Sequence, residues 1–268
     1  MRIEGVYFDL DGTLVKENSY ISPEICESIK KYKSIGGKIG IATGRSWMRS
    51  RELADLLLPN LPLICYNGNL FWQDGKRPIY HKTIPSELYS VKEKIMNQYY
   101  YIVEEYIDYY TVKSSLERRL FSVAMQVPKD SIKIGLGNNK DLLKIYLMAR
   151  SNEKISELIA SASPAWKMLV NWNKAEEYSY IQENKYWISI SAATDKVSCL
   201  SYLRKYYNIQ PNALAYFAND YNDVNMLRSV GMRVVMKNSC NDIKRYADYI
   251  IEYSEIPYIL ELICKKYS

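Results

Sequence analysis

Two carboxylates two positions apart, Asp9 and Asp11, follow a short apolar run from Ile3 to Phe8 and precede Gly12-Thr13-Leu14. The run has the length and composition of a buried strand. A carboxylate at the carboxyl end of a parallel strand stands where open α/β sheets bind ligands, and Gly12 allows the chain to turn tightly beneath it. That arrangement suits nucleophilic attack by Asp9 on phosphorus to give an acyl phosphate. Asp11 would protonate the leaving alcohol and later deprotonate the hydrolytic water, the usual division between paired carboxylates. Thr13 would hydrogen-bond a phosphate oxygen or steady Asp9.

A phosphoryl group in transfer carries charge on its peripheral oxygens, so donors and cations must surround it. Thr43 and the Gly44 amide, after a second apolar run, are candidate donors. Arg45 either lines the substrate entrance or begins the next helix exposed to water. Lys196 would neutralise charge between Asp9 and the phosphate and keep the nucleophile ionised. Lys185 and Lys205 are rivals without a comparable strand-to-helix junction. His81 is the single histidine, which argues against Ser-His-Asp hydrolysis and His-ligated catalytic zinc. His81 itself is expected on a loop or the surface.

Asp9-Leu10-Asp11-Gly12-Thr13-Leu14, Ala42-Thr43-Gly44-Arg45, Lys196, and Asn222-Asp223 within Ala218-Asn219-Asp220-Tyr221-Asn222-Asp223 resemble the four ordered motifs of the haloacid dehalogenase-like superfamily. Their spacing resembles that of its Cof-type phosphatases, which carry a large α/β cap between the second and third motifs. The resemblance extends through Val234-Val235-Met236-Lys237-Asn238 and Ala247-Asp248. It implies an α/β fold: a Rossmann-like, doubly wound parallel sheet as catalytic core, residues 1–83 and 186–268, with an inserted α/β cap, residues 84–185, that sets specificity. It also implies Mg²⁺ as cofactor and a small phosphorylated metabolite, such as a sugar phosphate or phosphorylated cofactor, as substrate. The catalytic set is then Asp9, Asp11 and Lys196. The phosphate- and substrate-binding set is Leu10, Gly12, Thr13, Thr43, Gly44, Arg45 and Asn222.

In the fourth motif the chain departs from the family. Relatives usually show Gly-Asp-x-x-Asn-Asp, whereas Asn219 places a neutral amide where a metal-binding carboxylate is expected. Mg²⁺ takes hard oxygen ligands and keeps several waters, so Asp9, the Asp11 carbonyl and Asn219 would hold it, with Asp220 or Asp223 able to restore the missing charge. Asp223 is expected to orient Lys196. Three alternatives stay open: phosphoryl transfer to another sugar, as in a phosphomutase; a catalytically weak, ligand-binding regulatory protein; and, disfavoured by Asp11, a dehalogenase.

The elements that must position these residues alternate as strand, helix, strand, as a doubly wound sheet requires. Ser22-Pro23 starts a helix bearing Ile25, Ile29 and Tyr32, ended by Gly36-Gly37. Lys38–Ala42 is a strand, Trp47–Leu58 a helix, Pro62–Tyr66 a strand running into the Asn67-Gly68 turn, and Asp74-Gly75 a hairpin turn. Thr194 is expected to cap a helix bearing Val197, Leu200 and Leu203, and Ala213–Phe217 to be a strand presenting the fourth motif. In the insertion, Ser86–Gln98 and Glu153–Ala162 read as helices. Tyr99–Val112, Leu120–Val127, Leu142–Met148, Met168–Trp172 and Tyr178–Ile181 read as strands, the tyrosines serving mainly as packing.

The chain of 268 residues, 48% apolar, is long enough for one large core or two modest ones. Its five cysteines are scattered, without CxxC spacing, which favours a reducing cytoplasm over a disulfide framework or zinc cluster. No apolar run reaches 18 residues, so neither a membrane span nor a signal peptide is expected. The net charge of +6 is spread without a polybasic block, so nucleic acid is not an expected partner and a monomer or homodimer is.

Overall fold

The structure, a computed structural model, describes residues 2–16, 20–73, 78–84, 100–105, 110–125, 127–135, 142–149, 166–171, 186–192 and 194–267. They form two compact units: Met1–His81 with Thr194–Ser268, and Lys82–Ala193. In chain order the strands are β1 (Gly5–Phe8), β2 (Lys38–Ala42), β3 (Leu63–Cys65), β4 (Leu70–Trp72), β5 (Tyr80–His81), β6 (Tyr100–Glu105) and β7 (Tyr110–Val112). They continue as β8 (Ile132–Ile134), β9 (Leu142–Ala149), β10 (Trp166–Asn171), β11 (Tyr186–Ala192), β12 (Leu214–Ala218), β13 (Met232–Met236) and β14 (Tyr249–Ile251).

Among the described residues, the first unit holds an eight-stranded sheet ordered β14-β13-β12-β1-β2-β3-β4-β5. From β14 to β3 every pairing is parallel, and β4 and β5 add an antiparallel edge. β1, β3 and β12 are buried throughout, which is why their sequences are continuous apolar runs rather than alternating ones. From β1 the chain first builds the sheet outward through β2 and β3, and only later returns to add β12, β13 and β14 on the other side. The order therefore reverses between β1 and β12, at the topological switch point where such sheets open a crevice for ligands.

The helices follow their start and stop signals. In the helix Pro23–Ser34 the Ser22 hydroxyl accepts from the Ile25 amide, and Ile25, Ile29 and Tyr32 form the buried face. It packs on the final helix, Ile256–Tyr267. Trp47–Leu57 ends on Leu58 in the left-handed conformation. The strand expected over Pro62–Tyr66 is shorter, because Tyr66 already has a positive φ of 52°.

In the second unit the sheet order is β10-β11-β9-β6-β7-β8, antiparallel except for the parallel β7–β8 pair. Two expectations are corrected here. Leu120–Val127 is not a strand: Ser115–Ala124 is a helix. The Ser114 hydroxyl accepts from the Glu117 amide and caps its start, and Glu117, Phe121 and Met125 are buried at four-residue intervals. Helical spacing plus a cap outweighs the β-favouring Phe and Val content. The boundary after residue 185 also moves. Tyr186–Ala192 pairs with β9 and β10, so it belongs to the inserted sheet and the chain returns to the first unit at Thr194. The Asp74-Gly75 turn, the helices at Ser86–Gln98 and Glu153–Ala162 and the strand at Tyr178–Ile181 lie outside the described residues.

Candidate active site

Asp9 is the first residue past β1. Its amide still donates to the Phe217 carbonyl of β12 at 2.9 Å, so ladder-type pairing fixes it at the crevice. The chain then folds back, with the Leu14 amide on the Asp9 carbonyl at 3.3 Å and the Val15 amide on the Leu10 carbonyl at 2.9 Å. Leu10 and Leu14 anchor this loop in the core, so Leu10 has only its backbone to offer a ligand. Gly12 has φ +78°, and a Cβ there would lie 2.1 Å from Nδ2 of Asn219, so a substitution would strain the backbone and push the Asn219 amide aside. The Thr13 hydroxyl, fully buried, donates to Asn219 Oδ1 at 3.3 Å. The loops after β1 and β12 thus close on each other.

Lys196 lies on the 3₁₀ turn Lys196–Ser198, ahead of the helix Cys199–Tyr207. The expected cap is corrected: the Asp195 carboxylate accepts from the Val197 amide. The Thr194 hydroxyl turns instead to Asn69 Oδ1 at 2.6 Å and the Asn67 carbonyl at 3.3 Å. Lys196 is wholly buried, and its Nζ donates to Asp9 Oδ1 at 2.6 Å and to Asp223 Oδ1 at 2.7 Å. Of its rivals, Lys205 is exposed and Lys185 lies outside the described residues.

Asp223 is engaged on both oxygens. Oδ1 accepts from Lys196 and from the Tyr216 hydroxyl at 2.5 Å, and Oδ2 from the amides of Asn219 and Asp220, each at 3.1 Å. Tyr216, on β12, is a residue the sequence reading missed; a fully buried tyrosine needs a partner for its hydroxyl, but nothing in its spacing names Asp223. Burial pushes the Asp9 carboxyl up to about 7, with Lys196 pulling it down and Asp223 and Asp11 adding to the rise. Burial opposes the Lys196 charge, yet Asp223 and then Asp9 outweigh it and raise the ammonium above its ordinary range. Lys196 therefore stays charged, as a cation between two acids must.

Asp11 meets Arg45. The guanidinium Nε donates to both carboxylate oxygens, at 3.1 and 2.9 Å, and Nη2 to Oδ1 at 2.6 Å. Arg45 is only 9% exposed while the Asp11 side chain is 62% exposed, so Arg45 is not the solvated start of a helix. Its amide donates to the buried Thr43 hydroxyl at 3.1 Å. Asn222 donates from Nδ2 to Asn67 Oδ1 at 3.1 Å. Asp220, exposed, accepts from the Tyr221 amide at 2.7 Å and caps the turn Tyr221–Asp223. Asn238, also missed, donates from Nδ2 to the Gly12 carbonyl at 3.0 Å. His81 lies exposed on β5.

The residues present fit a hard divalent cation. Asp9 Oδ2 accepts no hydrogen bond among the described residues, and Asn219 Oδ1 holds only the long bond from Thr13. Asp9, Asp11 and Asp223 outnumber Lys196 and Arg45 by one charge, and every candidate donor is an oxygen, the preference of Mg²⁺. Among the described residues no group of three or more His, Cys, Asp or Glu is placed to hold a metal, this site included, so the fit rests on Asp9, the Asp11 carbonyl and the Asn219 amide oxygen.

A doubly wound α/β sheet with an acid–lysine–acid cluster at its switch point defines a class of proteins with a carboxylate-centred ligand site. Within it, this chain belongs to the haloacid dehalogenase-like hydrolases, whose family model matches residues 6–258. It is similar to a protein of Mycoplasma genitalium that carries a provisional phosphatase name, 26% identical over 94% of each chain. It is also similar to a 5-amino-6-(5-phospho-D-ribitylamino)uracil phosphatase of Bacillus subtilis, 24% identical over 93% of this chain and 90% of that one. The fold matches a haloacid dehalogenase-like hydrolase of Bacteroides thetaiotaomicron, TM-score 0.80 at 20% identity over 99% and 100% of the two chains. A subclass IIB sugar phosphatase matches with TM-score 0.70 at 20% identity, over 98% of each chain.

Proposed function

We propose that this protein is a Mg²⁺-dependent phosphomonoesterase of small phosphorylated metabolites, sugar phosphates or phosphorylated cofactors and their precursors. The observation that carries this reading is the buried Lys196 ammonium bridging Asp9 and Asp223. A lysine buried between two acids is worth its desolvation where it must hold a carboxylate ionised against an incoming anion. Relatives named as phosphatases along nearly their whole length support the same reading.

Asp9 attacks phosphorus, forming an O–P bond as the ester O–P bond breaks, and Asp11 gives its proton to the departing alkoxide. Asp11 then takes a proton from water, whose oxygen attacks the aspartyl phosphate and releases inorganic phosphate and free Asp9. Asp223, locked by Tyr216 and two amides, fixes Lys196; Arg45 orients Asp11; Thr43, the Gly44 amide and Asn222 hold the phosphoryl oxygens. Asp9, the Asp11 carbonyl and Asn219 would hold Mg²⁺, which supplies charge neutralisation on the phosphoryl group. The inserted unit, residues 82–193, selects the leaving group, and the buried Cys199, outside any disulfide, suits a reducing cytoplasm.

The test is a panel of phosphorylated metabolites assayed with and without Mg²⁺, with Asp9→Asn as the blank. Stoichiometric phosphate release that vanishes in the blank is expected, whereas transfer to a second sugar without release would make the protein a phosphotransferase. Hydrolysis surviving in Asp9→Asn would overturn the mechanism.

A further inference from the structure

We propose that Asn67 is a further substrate-binding residue, donating from its side-chain amide to an oxygen of the bound phosphoryl group beside Gly44; this rests on the phosphatase reading above. Asn67 lies beyond β3, outside the four motifs. Its amide nitrogen donates to the Thr43 carbonyl at 3.0 Å, and a Cβ built on Gly44 would stand 3.2 Å from its Oδ1 and 3.5 Å from its Nδ2. The side chain therefore borders the loop expected to cradle phosphate.

The turn that puts it there is unusual. Tyr66 and Asn67, with φ of 52° and 54°, occupy the left-handed region in succession, a conformation non-glycine residues avoid and which concentrates at functional sites. Three loops hold it in place. The Tyr66 amide donates to the Arg45 carbonyl at 3.0 Å, and the Thr194 hydroxyl donates to the Asn67 carbonyl at 3.3 Å, two residues before Lys196. Asn222 donates to Asn67 Oδ1 at 3.1 Å. Gly68 follows with φ +100°, and a Cβ there would meet the Asp195 carbonyl at 2.3 Å.

The polar inventory points to a ligand. Asn67 is 8% exposed, and its Oδ1 is taken by Asn222. Its NH₂ makes no hydrogen bond among the described residues and is open to solvent, whereas Oδ1 of Asn222 is buried without a partner. An amide donor without a protein acceptor, held at the edge of a binding site, is free to serve an acceptor on what binds there. A phosphoryl oxygen accepts from NH₂ and would receive a charge-assisted bond there.

Two variants separate binding from mere turn formation. Asn67→Asp keeps the shape, the tolerance of positive φ and the oxygen that accepts from Asn222, but removes the donor. Asn67→Gly keeps the backbone freedom and removes the whole amide. The readouts are the inhibition constant of inorganic phosphate, KM and kcat, and the thermal midpoint. Both variants are expected to bind phosphate roughly ten- to a hundredfold more weakly and to show a matching rise in KM. Phosphate affinity within twofold of the parent in either folded variant would overturn the role of Asn67 and leave the phosphatase reading standing. A parent enzyme that neither binds phosphate nor hydrolyses any ester would overturn both.

Discussion

Lys196 occupies a position that general physical chemistry discourages. It is fully buried, where losing hydration costs several kcal/mol, and is tolerated because two carboxylates meet it at 2.6 and 2.7 Å. Removing it is therefore expected to harm folding and chemistry together. Lys196→Ala should abolish turnover and cost about 3–5 kcal/mol of stability in urea unfolding, because Asp9 and Asp223 would then face each other uncompensated. Asn219 is the opposite case, a neutral side chain among charges. Asn219→Asp should tighten Mg²⁺ roughly thirtyfold by calorimetric titration, since one further charge about 4 Å from a divalent ion in water is worth about 2 kcal/mol. An unchanged affinity would remove Asn219 from the ligand set.

At the scale of elements, the crevice is made by strand ends whose loops lock together, and the outer sheet edge is tied in the same way. Arg233 on β13 and Asp248 just before β14 share one backbone bond, a bond from the Arg233 amide to the Asp248 carboxylate, and an ion pair. The hydrogen bond from Arg233 is the main cause holding the Asp248 carboxyl below its ordinary range, against some burial. A depressed carboxylate contributes stability above its unfolded pKa, near 4, and loses it as pH falls through the lower folded value. The stability gap between the parent and Asp248→Asn should thus be constant above about pH 5 and shrink below about pH 4. Its size should be at most about 1 kcal/mol, as for other half-exposed pairs, measured by urea titrations at each pH. A gap that widens in acid would contradict the assignment.

The whole molecule consists of two units with separate sheets, and no helix among the described residues is long and apolar enough to cross a membrane. Every candidate ligand for Mg²⁺ and phosphate lies in the first unit, residues 1–81 and 194–268. A ligand stabilises only the part it binds, by about 2.7 kcal/mol at a hundred times its Kd. Calorimetry with saturating Mg²⁺ and phosphate is accordingly expected to raise the transition of the first unit and leave that of residues 82–193 in place. Equal shifts in both would mean that the units unfold as one.

What the residues alone determined was which side chains are candidates for chemistry and the succession of strands and helices in the core. Asp9 and Asp11 after an apolar strand, Thr43-Gly44 after another and the Asn219–Asp223 turn after a third are local signals, because a buried parallel strand and its exit turn are written in a few consecutive residues. Helical register is equally local for Ile25, Ile29 and Tyr32, and for Glu117 and Phe121 behind the Ser114 cap, where spacing outweighs β-favouring composition. Only the tertiary structure decided that Lys196 is buried rather than solvated, that Arg45 grips Asp11, that Tyr216 and Asn238 brace the site, and that Tyr186–Ala192 belongs to the inserted sheet. Apart from Tyr216, which meets Asp223 only seven residues on, each of these is a contact between residues far apart in the chain, and such contacts are fixed by how strands pair and loops meet in space, which no short stretch of residues encodes.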